Sequence, residues 1–109
     1  MILWIDDERP MPAAYTDHAT TSAEAIALLT AAKDDGLQIG KVSFDHDLSI
    51  VEGNDDTSRP VMRWIIENGY WPDEVAFHTA NPVGHEWLVG MATRYAPPTT
   101  WVDPRDLYA

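Results

Sequence analysis

The sequence predicts an α/β domain built on a parallel sheet, and two observations carry that expectation. First, Ile2-Leu3-Trp4-Ile5, Lys41-Val42-Ser43-Phe44-Asp45 and Glu74-Val75-Ala76-Phe77-His78 are short apolar-leaning runs, and acids, imidazoles or amides gather at their carboxyl ends. Runs that are apolar on both faces suit the central strands of a parallel sheet. Second, helical periodicity fills the gaps between them, and strands alternating with helices imply right-handed crossovers.

Taken in order, Ile2 to Ile5 is stopped abruptly by Asp6-Asp7-Glu8-Arg9-Pro10. Residues 10 to 14 contain two prolines and cannot supply a full crossover helix. A weak strand is expected near Ala14 to Ala19, where Tyr15 is the only large apolar residue. Thr21 with Glu24 forms a capping-box pattern. Ala25, Leu28, Leu29 and Ala32 follow at helical spacing, with Gly36 as the stop. Beyond the Lys41 to Asp45 strand, Leu48 to Ser58 is too polar and acidic for the core and reads as a loop over the strand end.

A helix from about Ser58 or Arg59 tolerates Pro60 in its first turn, buries Val61, Trp64 and Ile65, and closes at Asn68-Gly69. After the Glu74 to His78 strand, Asn81 suits an N-cap and Pro82 the first helical position. That helix turns Trp87, Leu88, Met91, Ala92 and Tyr95 inward and ends at Pro97-Pro98. Thr99 to Val102 is a short last strand, and Asp103 to Ala109 is too brief for a long terminal helix. In the doubly wound strand order 2-1-3-4-5, the carboxyl ends of the first and third strands are neighbours and frame the usual ligand crevice. Asp6 and Asp7 then lie beside Asp45, with His78 and Thr79 one strand further along.

The 109 residues form one domain, 1–109, large enough to bury a single core. The absence of cysteine excludes disulfides, thiolate metal sites and cysteine nucleophiles. Asp6 and Asp7 follow so closely on Met1 that a leader has no room, and no run is long enough to span a bilayer, so a cytoplasmic protein is expected. The net charge of −11 opposes bulk binding to nucleic acid or to an anionic membrane. A phosphate ligand must instead be held by a metal ion, a helix N-terminus or a few arginines. Asp34, Asp35, Glu52, Asp55 and Asp56 read equally well as solvated surface.

Three carboxylates converging on one rim raise the pKa of at least one unless a cation joins them. Asp6, Asp7 and Asp45 offer hard oxygen donors suited to Mg²⁺ or Mn²⁺; His46 or His78 as ligands would shift preference toward Mn²⁺, Ni²⁺ or Zn²⁺. Such an ion polarises a phosphoryl oxygen and acidifies bound water. Strand alternation points Asp45 and Asp47 to one side and His46 to the other, which leaves His46 open between a catalytic and a supporting role. His78 ends the adjacent strand and is the first choice for general acid or base.

Thr79 to Gly84 forms a candidate anion seat: the helix after Asn81 aims free amides at the crevice, and Gly84 allows close approach. Arg9 is placed to meet either the phosphate or Asp7. Arg59 and Arg63, one helical turn apart, can face either the acidic 52–56 loop or a nucleotide. Most of the five tryptophans suit packing, while Trp71, between Tyr70 and Pro72, is the one placed to stack on a base. His85 is open between a further site residue and a surface residue, and His18 reads as a surface residue.

Leu3-Trp4-Ile5-Asp6-Asp7-Glu8-Arg9-Pro10, Ser43-Phe44-Asp45-His46-Asp47-Leu48, Asp56-Thr57 and His78-Thr79-Ala80-Asn81-Pro82-Val83-Gly84 together resemble the cyclic-phosphate-processing receiver family of the receiver superfamily. The resemblance implies a flavodoxin-like three-layer sandwich whose first crossover helix and terminal helix are reduced. It implies that Asp6 and Asp7 bind a divalent cation, that Asp45 stands where receivers carry their phospho-acceptor, as ligand or nucleophile, and that Thr79 matches the hydroxyl at the next strand end. The implied activity is metal-dependent hydrolysis of a cyclic phosphate on a small nucleotide or an RNA end. The alternative is a non-catalytic module that binds a phosphorylated small molecule or a protein partner. Asp103-Pro104-Arg105 lacks the lysine that ordinarily follows the last receiver strand, with Arg105 the nearest substitute.

Overall fold

A computed structural model describes residues 1–106. Its chain runs β1 (Ile2–Ile5), β2 (Asp17–Ala19), α1 (Ser22–Asp34), β3 (Lys41–Phe44), β4 (Asp47–Val51), β5 (Asn54–Thr57), α2 (Arg59–Asn68), β6 (Glu74–Phe77), α3 (Pro82–Tyr95) and β7 (Trp101–Asp103). Five strands form a parallel sheet in the order β2-β1-β3-β6-β7, which is the predicted 2-1-3-4-5 order once the β4–β5 hairpin is set aside. Register places Leu3 beside Val42 and Val42 beside Val75, so alternate residues of the central strands share a face.

One face carries all the helical packing. Leu3, Ile5, Val42, Phe44, Val75 and Phe77 bury against Ala25, Leu29 and Ala32 of α1, Val61, Met62 and Ile65 of α2, and Leu88 and Ala92 of α3. The helix ends follow from local chemistry: the Thr21 hydroxyl accepts from the Glu24 amide, Gly69 closes α2 in the left-handed region, and the Asn81 side chain accepts from the Gly84 amide. Tyr95 is the exception to the predicted inward stripe of α3. It is exposed, as the last residue of the helix.

Among the described residues, the opposite face is closed without helices. The chain between β1 and β2 lays Tyr15 edge-on against Trp4, and the segment after β7 returns so that the Asp106 amide donates to the Phe77 carbonyl at 3.0 Å. The reduced third layer is therefore irregular chain.

The segment expected as a loop from Leu48 to Ser58 forms the antiparallel β4–β5 hairpin instead. Its two-residue turn, Glu52-Gly53, has positive φ at both positions, the geometry that matches the right-handed twist of paired strands. Composition hid it, because most of its side chains face solvent. The hairpin is pinned at its base, where Asp56 accepts from the Ser22 amide at 2.7 Å and the Ser22 hydroxyl at 2.6 Å. Asp56 thus joins β5 to the first turn of α1.

Candidate active site

The crevice lies where the topology requires, at the carboxyl ends of β1, β3 and β6. It has a volume of about 270 Å³ and is lined by Asp7, Glu8, Arg9, Asp45, Asp47, Leu48, Thr79, Ala80 and Asn81. Asp6 is wholly buried behind the Arg9 side chain that lines it. Asp6, Asp7 and Asp45 each present an oxygen within 4.8 Å of the others, a spacing one hard divalent cation can bridge. The donor set is all carboxylate, so the residues present fit Mg²⁺ or Mn²⁺. A larger cavity of about 670 Å³, between the end of α3 and β7, is lined by aliphatic, proline and threonine side chains and Trp101, without an ionisable group.

Each acid is held differently. Asp6 Oδ1 accepts from the Glu8 and Arg9 amides at 2.7 and 2.9 Å, and Oδ2 meets Arg9 Nη1 and His78 Nε2, both at 3.0 Å. Burial alone would raise this carboxyl, but the Arg9 and Glu8 hydrogen bonds outweigh it and hold Asp6 below its ordinary range. Asp45 is raised, first by burial and then by the neighbouring charge of Asp6. Asp7 accepts at Oδ2 from the Ser49 hydroxyl of the hairpin at 3.0 Å.

Arg9 reaches both buried carboxylates, with Nη1 at 3.0 Å from Asp6 Oδ2 and 3.7 Å from Asp45 Oδ2. Arg9 is thereby the cation beside Asp45. Arg105 is exposed and lines an adjoining cavity of about 380 Å³, which shares Thr79 and Ala80 with the crevice.

His78 lies beneath the rim. Its side chain is wholly buried, stacked on Trp4 at 3.8 Å between ring centres, with Nδ1 at 2.8 Å from Ser43 Oγ and Nε2 on Asp6. Burial pushes the imidazole down to about 4, against the pull of Asp6. In this position His78 touches Asp6 rather than the crevice, and a proton passing between it and a ligand would pass by way of that carboxylate.

His46 is also buried. Its Nδ1 meets Asp47 Oδ1 at 2.7 Å, and its Nε2 accepts from Arg59 Nε at 2.8 Å. Of the two roles left open for it, this geometry is that of a supporting residue. Gly84 faces the same ring: a Cβ there would collide with the imidazole, so the glycine permits close packing of α3 on His46. Its amide is already taken by Asn81 Oδ1 at 3.1 Å. Asn81 donates in turn to Asp47 at 3.1 Å, and the Thr79 hydroxyl supports the charge on Asp45. Arg59 and Arg63 both lie over the Trp87 ring.

Several participants escaped the sequence reading. Asp47 lines the crevice and is exposed, although only its spacing from Asp45 hinted at this. His18 is exposed, as read from the sequence, and its Nε2 also contacts the Asp6 carbonyl at 2.7 Å. Least legible is a buried polar row behind the site. Asp106 accepts from Tyr15, from Ser43 at 2.5 Å and from Lys41 at 3.1 Å, and Ser43 leads on to His78. Burial and then Asp106 push the Tyr15 phenol up to about 12. The one available signal was a pair of polar residues, Lys41 and Ser43, at alternate positions of a core strand.

A five-stranded parallel sheet with an acidic cluster at the ends of its first and central strands defines a receiver-like domain. The profile of the cyclic-phosphate processing receiver domain matches residues 1–94, and the chain belongs to that family. No curated protein and no solved structure matches it significantly. Among the described residues no helix is long and apolar enough to cross a membrane.

Proposed function

We propose that the protein hydrolyses a cyclic phosphate on a small nucleotide or an RNA end in a reaction that depends on a divalent cation. The observation carrying this reading is the meeting of Asp6, Asp7 and Asp45 beside the N-terminus of α3, in a crevice large enough for a phosphate and its sugar. Asp6, Asp7 and Asp45 would hold the cation, which supplies Lewis-acid polarisation and a water acidic enough to react near neutral pH. Thr79 and Asn81 flank the phosphate, with Arg9 as its guanidinium partner. His78 holds Asp6 in place from below and acts on the crevice through it.

One observation favours a second reading, in which the module binds a phosphorylated small molecule without turnover. The imidazole best suited to proton transfer is wholly buried, which leaves the crevice without a histidine in direct reach. A product assay over 2′,3′-cyclic, 3′,5′-cyclic and ADP-ribose cyclic phosphates, with Mg²⁺, Mn²⁺ or chelator, separates the two. Turnover that needs metal and is lost in Asp45→Ala supports hydrolysis; calorimetric binding without product supports the second reading.

A further inference from the structure

Both oxygens of Asp6 already have partners in the protein. Oδ1 holds two backbone amides, and Oδ2 holds Arg9 Nη1 and His78 Nε2. A cation held by Asp6, Asp7 and Asp45 needs an Asp6 oxygen, so one of these donors must withdraw. The amides belong to the turn itself, and His78 is locked between Trp4 and Ser43 with no exposure. Arg9 is different: its side chain is 42 % exposed, and its charge already stands between Asp6 and Asp45. A guanidinium and a dication sharing those two carboxylates would repel each other.

We propose that Arg9 is an exchangeable counter-ion, which neutralises Asp6 and Asp45 until a divalent cation binds and is then handed to the phosphate. This rests on the metal-dependent reading above. The backbone of Arg9 stays fixed throughout, because its amide donates to Asp6 Oδ1 at 2.9 Å and its carbonyl accepts from Trp4 Nε1 at 3.3 Å. Only the side chain moves, and its tether keeps the guanidinium at the mouth of the crevice it lines together with Thr79 and Asn81. Guanidinium groups favour phosphate as strongly as carboxylate, so the second contact compensates for the first. Metal and phosphate consequently bind as a mutually reinforcing pair, each raising the affinity of the other by the same factor.

The test uses the full chain, with Mn²⁺ followed by electron paramagnetic resonance and inorganic phosphate followed by calorimetry. Removing the competing charge in Arg9→Gln tightens Mn²⁺ binding about two- to fivefold, the size expected of a partly exposed ion pair. In Mn²⁺-saturated protein the same variant binds phosphate roughly tenfold or more weakly. Arg9→Lys, which keeps the charge without the planar fork, falls between wild type and Arg9→Gln in both titrations and guards against a folding artefact. Equal or weaker Mn²⁺ binding by Arg9→Gln, or phosphate binding indifferent to the substitution, overturns the proposal. If neither wild type nor Arg9→Gln binds Mn²⁺, the metal-dependent reading falls and this proposal with it. Tighter Mn²⁺ binding without turnover of any cyclic phosphate leaves the exchange standing and removes only hydrolysis.

Discussion

Leu3, Ile5, Val42, Phe44, Val75 and Phe77 pack beneath three helices, whereas the alternate positions Trp4 and Ser43, continued by His78 beyond β6, meet only irregular chain and the Asp106 carboxylate. The first face is apolar and held by burial. The second is threaded by hydrogen bonds that lead from Asp106 through Ser43 and His78 to Asp6. The candidate site belongs to the second face, because Asp6 and Asp45 continue the alternation of Trp4 and Ser43 past the ends of their strands. Among the described residues no helix covers that side, so polar groups buried there need one another, and the network that satisfies them also holds the candidate site.

Substitutions on the two faces should therefore fail in different ways, and the largest effect belongs to the apolar face. Phe44 is fully buried and stacks near Phe77 with ring centres 5.6 Å apart. Phe44→Ala is expected to lose about 3–5 kcal/mol of stability, seen as a lowered midpoint in urea. On the other face, Asp106→Asn keeps the shape but removes the charge facing Lys41 and weakens the bonds from Tyr15 and Ser43. A loss of about 1.5–3 kcal/mol is expected by the same measurement. Lys41 also meets Glu74 at 3.6 Å, which limits the damage. Nitrogen chemical shifts of His78 should change in Asp106→Asn and not in Phe44→Ala folded under the same conditions. If both substitutions leave His78 alone, the row from Asp106 is a fastening for the C-terminal segment only.

A smaller effect tests the boundary between the faces, where His46 lies under α3. Gly84→Ala gains helix propensity of about 1 kcal/mol but drives a methyl into a ring held by Asp47 and Arg59. Overpacking of this kind costs about 1–3 kcal/mol, so the expected outcome is a modest net loss of stability. The double variant Gly84→Ala, His46→Ala should recover part of it, because the space released by one change admits the other. Additive losses would mean that the close approach has no energetic weight.

What could be read from the sequence follows the same division. The apolar face announces itself through periodicity, so β1, β3, β6, the three helices and the strand order were all legible, as was the gathering of Asp6, Asp7 and Asp45. The β4–β5 hairpin was not, since exposed strands give no hydrophobic alternation and only Gly53 marks its turn. Nor was the depth of His78. A histidine at a strand end looks the same in sequence whether its ring reaches the rim or lies under it, and here Trp4 and Ser43 decide the matter. The partnership of residues 15, 41, 43 and 106 depends on a chain segment that returns across the sheet, and no local pattern encodes that.

The smallest effect concerns Asp45 and has the opposite sign. Burial and the nearby charge of Asp6 raise its folded-state pKa above the unfolded value. A raised carboxyl binds its proton more tightly when folded, so its contribution favours the folded state at low pH and is lost as pH rises through the folded pKa. At neutral pH the ionised Asp45 therefore burdens the metal-free fold, and Asp45→Asn should stabilise it by about 0.5–2 kcal/mol. That gain should shrink toward zero below the ordinary carboxylate range, where wild-type Asp45 is already neutral. Added Mg²⁺ should raise the melting temperature of the wild type, because a ligand that binds only the folded state stabilises it, and should raise that of Asp45→Asn far less. A melting temperature that falls in Asp45→Asn at neutral pH would place Asp45 with the structural residues of the sheet rather than with Asp6 and Asp7 in a strained acidic cluster.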